Sequence, residues 1–392
     1  MRSLDQLLRK HILAVKPYSS ARSEYPTNNT SSSENQHSSV FLDANENAFG
    51  SPSHLTVSRY PDPLQIALKE RIAEIKRIPQ ERVNTIFLGN GSDEPIDLII
   101  RAFCEPKSTP TQRQTLGSVA NTSLNDKTDD KIDDKILDDE IIITPPTYGM
   151  YEVSAAIHNV ALARVPLRKD ARGFHLNAEA VLASSTPRTK LIFLCSPNNP
   201  TANALDASAL ERVITGFDGI IVLDEAYIDF APDKSFLPRL AEFPNLIILQ
   251  TFSKAWGMAG LRLGMAFARA EIIAVLNTIK PPYNINIVAQ EAALTALADV
   301  AWHDEVVVQT LRERTRLQAE LVKLAFVQRV FPSDANFLLV EMQHSRRIYE
   351  ELVRQNIIVR DRAGVALCED CLRITVGTEL ENTRLLAALE KM

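Results

Sequence analysis

Five short polar clusters carry residue types that could act together on a small charged molecule. They are Gly89-Asn-Gly-Ser-Asp93, Pro145-Pro-Thr-Tyr148, Ser196-Pro-Asn-Asn-Pro-Thr201, Asp224-Glu-Ala-Tyr227 and Thr251-Phe-Ser-Lys254. In the first, two glycines precede Ser92, Asp93 and the helical pattern Ile96, Ile99, Ile100, Phe103. Free backbone N–H groups and the positive end of a helix dipole would meet at that turn and suit a phosphate. Thr251, Ser253 and the planar fork of Arg262 could close on the same anion. Asp224 ends an apolar run, where an unpaired buried carboxylate is costly, so it should face a cation or a protonated nitrogen. Lys254, desolvated near another strand end, becomes a usable amine nucleophile. Taken singly, each has an ordinary reading as a turn, a cap or a solvated lysine.

The elements that must position these clusters are legible just upstream of each. The runs Thr85-Ile-Phe-Leu88, Ile141-Ile-Ile143, Leu191-Ile-Phe-Leu194, Ile220-Ile-Val-Leu223 and Leu246-Ile-Ile-Leu249 are continuously apolar, as strands covered on both faces are. They alternate with helical patterns, which predicts an α/β fold with a mainly parallel sheet. In such a sheet all five polar clusters gather at the carboxyl edge, where open α/β folds bind ligands. Anion cradle, buried acid, reactive amine and the Tyr148 ring then meet at one place. That combination matches pyridoxal 5′-phosphate, which has a phosphate, a pyridine nitrogen, an aldehyde and a ring to stack on.

The chain also resembles a known family. Ser196-Pro-Asn-Asn-Pro-Thr201, Asp224-Glu-Ala-Tyr227, Ser253-Lys254 with Arg262, and Leu372-Arg373-Ile-Thr-Val-Gly377 look like the motif series of fold-type I aminotransferases. Leu42-Asp-Ala-Asn-Glu-Asn47, Arg59-Tyr-Pro-Asp62, Gly89-Asn-Gly-Ser-Asp-Glu94 and Pro146-Thr-Tyr-Gly-Met-Tyr151 narrow the resemblance to the histidinol-phosphate aminotransferases. It implies a homodimeric, cytoplasmic enzyme of histidine biosynthesis. It would interconvert histidinol phosphate plus 2-oxoglutarate and imidazole acetol phosphate plus glutamate. Aromatic-amino-acid aminotransferases and phosphothreonine-type decarboxylases stay open as alternatives, because they share the same cofactor residues.

Residue by residue, the resemblance implies that Lys254 carries the cofactor covalently and then moves a proton as the base. Asp224 would keep the pyridine nitrogen protonated, Asn199 and Tyr227 would hydrogen-bond O3′, and Tyr148 would stack on the ring. N–H groups of Ser92 and Asp93, with Thr251, Ser253 and Arg262, would hold the phosphate, and Tyr60 would reach it from a second subunit. Tyr18, Asn45, Arg360 and Arg373 match positions expected near substrate. A structural salt bridge is the rival reading of Arg360. The chain departs from the pattern at Ala202, where the family has Gly, which leaves that turn's conformation open. Cys368-Glu-Asp-Cys371 is explained better as a loop than as a metal or redox pair, and no metal is expected.

The organisation that follows is an N-terminal arm over 1–40, a large cofactor domain over 41–279 and a smaller α+β domain over 280–392. Lys280-Pro-Pro-Tyr283 marks the boundary. The apolar stripe Leu4, Leu7, Leu8, Ile12 of the arm reads as packing that joins the smaller domain. The Ser/Asn-rich segment 19–39 and the charged segment 106–139 cannot bury enough apolar surface to offset ordering entropy and read as flexible insertions. Asp126 to Glu140 holds eight acids and three lysines, so five of the six excess negative charges of the 392-residue chain sit there. With the remainder near neutral, no nucleic-acid partner is indicated. Four cysteines point to a reducing compartment, and no stretch is long and apolar enough to span a bilayer. A non-catalytic protein whose acidic segment recruits a partner is the reading from another class; a Rossmann oxidoreductase lacks its glycine signature.

Overall fold

The computed structural model describes residues 2–17, 40, 42–107 and 138–392. Tyr18, the whole of 19–39 and all but the ends of 106–139 lie outside the described residues. All five apolar runs are strands. The strands are β1 (Ile86–Asn90), β2 (Glu140–Ile143), β3 (Ala161–Arg164), β4 (Arg168–Asp170), β5 (Gly173–His175), β6 (Thr189–Cys195), β7 (Ile220–Asp224), β8 (Leu246–Thr251) and β9 (Leu263–Phe267). Seven of them form one sheet in the order β1-β9-β8-β7-β6-β2-β3, while β4 and β5 make a separate hairpin.

The pairs β2–β3, β2–β6, β6–β7 and β7–β8 are parallel. Strand β9 is antiparallel to both β8 and β1, so β1 points the same way as the parallel set. The carboxyl ends that precede the five polar clusters therefore share one edge. Side-chain alternation divides each run between two cores. Leu191 and Phe193 enter one, with Ile141, Val222 and Ile247; Ile192 and Leu194 enter the other, with Ile142, Ile221 and Ile248. Burial on both faces is the reason these strands carry no polar alternation.

Beyond Lys280 comes a second sheet of four antiparallel strands, β10 (Val327–Val330), β11 (Phe337–Met342), β12 (Arg360–Asp361) and β13 (Cys371–Thr375), in the order β10-β11-β13-β12. Its core joins Leu338, Val340, Leu372 and Ile374 to Leu317, Leu352 and Leu386. Neither β9 nor β10 was anticipated from the sequence.

Four helices matter for the site and its support: α1 (Leu4–Leu7), α2 (Asp93–Phe103), α3 (Met150–Ile157) and α4 (Val300–Leu321). Leu7 and Leu8 sink into the core that holds Ile99 and Phe103 of α2, and the N–H of Arg9 donates to the Ala102 carbonyl at 3.0 Å. The described part of the arm thus packs on the large sheet's helices, whereas the sequence reading joins the arm to the smaller domain. An apolar stripe shows that a helix is packed but not against what. Ala202 is buried at φ 71°, so the turn keeps the left-handed conformation that Gly adopts more easily. Cys368 and Cys371 are free and buried, and burial pushes both thiols up to about 12.

Candidate active site

The carboxyl edge of the large sheet opens into a cavity of about 710 Å³, large enough for a cofactor and a small substrate together. Ser92, Asp93, Tyr148, Asn199, Asp224, Tyr227, Thr251, Ser253, Lys254, Arg262, Arg360 and Arg373 all line it, which covers most of the residues singled out from sequence. Asn45 and Tyr60 do not line it. Asn45 is exposed at φ 53°, and Tyr60 lies half-exposed on the outer surface with its ring stacked on Tyr283 at 4.5 Å. Tyr18 is outside the described residues.

The anion cradle is built where β1 hands over to α2. Gly91 sits at φ 67° and its N–H donates to the Arg262 carbonyl at 2.7 Å, which ties the turn to the start of β9. A Cβ at Gly91 would lie 2.5 Å from Arg262 Nη2, and one at Gly264 would lie 2.3 Å from the Gly91 carbonyl carbon. Gly264 is therefore required by close approach of backbone, and Gly91 by its left-handed φ, with the Arg262 guanidinium resting where a side chain would start. Ser92 caps α2 without using its side chain, so its hydroxyl and the first N–H groups of the helix stay available to an anion. Thr251 Oγ1 donates to Ser253 Oγ at 3.0 Å and accepts from the Ser253 N–H at 3.1 Å, which orders both hydroxyls beside the turn. Asp93 does more than offer its N–H. Its carboxylate accepts from Tyr148 Oη at 3.0 Å and from Arg262 Nη2 at 3.2 Å, fixing the ring and the guanidinium at once.

Asp224 terminates β7 with its side chain buried. Its carboxylate accepts from Tyr151 Oη at 2.6 Å and from the Ala226 N–H at 3.0 Å. Burial pushes its pKa up to about 6, and those two hydrogen bonds oppose the rise. Sequence reasoning quoted Tyr151 only as the end of a motif and gave it no role, although it stands three residues after Tyr148, where a helix start brings both rings to one side. The two rings meet edge to face at 5.6 Å, and Tyr151 stacks on Phe193 at 4.9 Å. Thr147 Oγ1 donates to Asn198 Oδ1 at 3.1 Å and Asn198 Nδ2 donates to the Pro146 carbonyl at 2.8 Å. Those bonds fasten the Tyr148 loop to the loop that carries Asn199.

Lys254 has its Nζ 5.2 Å from the centroid of the Tyr227 ring. Burial first, then the charges of Arg373 and Arg262, lower its pKa, while Asp224 works against them. Asn199 joins two groups: its Nδ2 donates to Tyr227 Oη at 3.5 Å, and its Oδ1 accepts from Arg373 Nη1 at 2.5 Å. Phe337 of β11 packs edge-on against Tyr227 at 5.1 Å and lies under the Arg373 guanidinium at 5.3 Å. The second sheet thereby supplies one wall of the cavity. Arg362, which sequence reasoning also missed, lines the same wall. Its spacing of two from Arg360 on a strand was the available signal. Chemically, the arrangement offers a phosphate cradle, an acid for a ring nitrogen, an amine whose pKa is lowered and a cationic wall for an anionic substrate.

The profile of the family described as aminotransferase class I and II matches residues 136–389. The chain is 48% identical to the histidinol-phosphate aminotransferase of Cytophaga hutchinsonii, over 99% of each chain. Among solved structures it resembles the histidinol-phosphate aminotransferase of Clostridium acetobutylicum, with 25% identity, a TM-score of 0.70 and coverage of 86% of this chain and 90% of that one. The Sinorhizobium meliloti histidinol-phosphate aminotransferase, solved in complex with pyridoxal-5′-phosphate, shares the fold at a TM-score of 0.72 and 24% identity, over 89% of each chain.

Proposed function

The chain belongs to the aminotransferase class I and II family, and on that premise we propose that it transfers an amino group between histidinol phosphate and 2-oxoglutarate with pyridoxal 5′-phosphate as cofactor. The products are imidazole acetol phosphate and glutamate. The observation that carries the reading is the shared cavity: the Lys254 amine, the buried Asp224 carboxylate and the cradle at Ser92–Asp93 line the same space as Arg360 and Arg373. The cradle fits a phosphate because the Ser92 hydroxyl is not spent on capping and, with Thr251, Ser253 and Arg262, it lines the cavity at the helix start. Near-full-length identity of 48% to a histidinol-phosphate aminotransferase favours this substrate over aromatic amino acids or decarboxylation.

When bound, the cofactor supplies an aldehyde that captures the amino group and a ring that withdraws electrons from the carbon losing its proton. Lys254 Nζ would hold the cofactor through that aldehyde, and the same amine is the base placed to move the substrate's proton. Its lowered pKa raises the neutral fraction able to do so. Asp224 would keep a proton on the ring nitrogen, and Tyr148 would stack on the ring. Tyr227 Oη and Asn199 Nδ2 are offered to the ring oxygen. Arg360 and Arg373 orient the anionic end of the substrate, as the fork geometry of guanidinium allows.

The two sheets are proposed to be the cores of a cofactor domain over 41–279 and a smaller domain over 280–392. We place Tyr60 at the interface of a homodimer; the exposure of Leu42, Phe49 and Leu55 in the same stretch of chain supports a covered face there. Four free, buried cysteines support work in a reducing cytoplasm. Among the described residues no helix is long and apolar enough to cross a membrane.

Borohydride reduction of the pyridoxal-phosphate-loaded protein, followed by peptide mass mapping, tests the reading. The expected result is one pyridoxyl adduct, on Lys254, and amino transfer from histidinol phosphate well above that from phenylalanine. An adduct elsewhere, equal rates on both amines, or substrate-dependent release of CO2 would refute it.

A further inference from the structure

Sheet register puts a third arginine beside the two already assigned to substrate. Strands β12 and β13 run antiparallel with Arg360 directly opposite Arg373. The ladder continues past β12, where the Arg362 N–H donates to the Cys371 carbonyl at 2.9 Å. Since side chains alternate with period two, Arg362 shares a face with Arg360, and Asp361 between them takes the other. Asp361 accordingly pairs with Arg346 at 3.1 Å, and Arg360, Arg362 and Arg373 all line the cavity.

Like charges set opposite each other on neighbouring strands repel, and a guanidinium does not escape by losing its proton. Among the described residues no carboxylate lies within ion-pair distance of any of the three. Arg373 is held by the neutral Asn199 side chain, and Arg362 Nε is buried with no hydrogen-bond partner. Burial, with Arg373 and Arg360 next, holds Arg362 below the usual arginine range. A monocarboxylate would leave two of these charges uncompensated. A phosphate monoester brings two charges and three oxygens and matches the wall far better.

We propose that Arg362 determines specificity by reading the second negative charge of a phosphate-ester substrate alongside Arg360 and Arg373. This deepens the functional reading above and rests on it. Glutamate carries its two charges on carboxylates at opposite ends of the molecule, so its α-carboxylate can pair with Arg373 alone and depends less on Arg362 than two charges held on one phosphate do.

The test uses the pyridoxal-phosphate holoenzyme and its R362Q and R362K variants. Each half-reaction is followed separately through cofactor absorbance, with histidinol phosphate and with glutamate. The ratio of kcat/KM between the two substrates should fall at least tenfold in R362Q, mainly through KM for histidinol phosphate. In R362K, which keeps the charge but loses the fork, it should fall about threefold or more. A second readout is calorimetric binding of methyl phosphate at about pH 5 and pH 8, on either side of a monoester's second pKa near 6. The parent should prefer the dianion at the higher pH, and R362Q should lose that preference.

An unchanged substrate ratio together with an unchanged pH preference overturns the proposal. If R362Q does not fold, R362K alone decides: a ratio equal to the parent's overturns it. A parent that binds methyl phosphate yet does not turn over histidinol phosphate refutes the functional reading, while methyl phosphate binding by the variants still judges Arg362.

Discussion

Replacing Tyr151 by Phe removes one oxygen from a bond to the acid that is proposed to face the cofactor nitrogen. Tyr151 Oη donates to Asp224 Oδ2 at 2.6 Å inside the core, and the Phe ring can keep its stack on Phe193. A hydrogen bond to a charged group contributes roughly 1.5–3 kcal/mol. Since it favours the ionised carboxylate, its loss disfavours ionisation by that amount. At about 1.4 kcal/mol for each pKa unit, the Asp224 pKa should climb by about one to two from its value of about 6. At pH 7 the acid would then pass from mostly ionised to at least half protonated, and the fraction able to pair with a pyridinium would shrink. Infrared difference titration of the cofactor-free protein, with the Asp224 band identified by its absence in Asp224→Asn, measures the midpoint directly. Amino transfer at pH 7 should fall about twofold to tenfold, in step with the ionised fraction of Asp224. A midpoint in Tyr151→Phe that is unchanged or lower than the parent's would refute the reasoning.

Gly91→Ala should weaken cofactor binding at least tenfold, because the left-handed backbone costs about 1–2 kcal/mol and the new Cβ meets Arg262 Nη2; titration of cofactor-free protein with pyridoxal phosphate checks it. Ala202→Gly should stabilise the fold by up to about 1 kcal/mol, as relief of left-handed strain exceeds the entropy gained by the unfolded chain. A melting temperature that does not rise would count against it. Glu225 is buried beside Asp224, accepting from Ser235, the Phe236 N–H and Gln250, and burial pushes it up to about 7. The folded chain therefore holds protons here that the unfolded chain has released. Stability is fully present below the unfolded value near 4.5 and is lost as pH rises to about 7. Urea midpoints of the cofactor-free protein should fall across that window, and Glu225→Gln should flatten the fall.

Much of the site is legible in local residue order. A buried parallel strand must be apolar along its length, and the polar residues that follow it must emerge at one edge. Reading Leu246 to Leu249 thus places Lys254, and reading Ile220 to Leu223 places Asp224. The glycines of Gly89-Asn-Gly91 and the acid after Leu223 announce their chemistry because no neutral structural role suits them as well in combination.

What stayed hidden depends on pairing between distant segments. Strand β9 carries Gly264 because Gly91 passes 2.3 Å from where its Cβ would be, a constraint absent from either segment alone. Tyr151 is a core aromatic until Asp224 arrives 73 residues later to accept its hydrogen bond. The stripe Leu4, Leu7, Leu8 specifies an apolar face, but only the fold selects α2 as its cover. Arg362 acquires its meaning from the antiparallel register that sets Arg360 opposite Arg373. Periodicity and composition are short-range properties that decide which residues are buried and where a strand ends. Which buried or charged groups then meet is decided by register and by layer packing, through contacts between residues far apart in the chain.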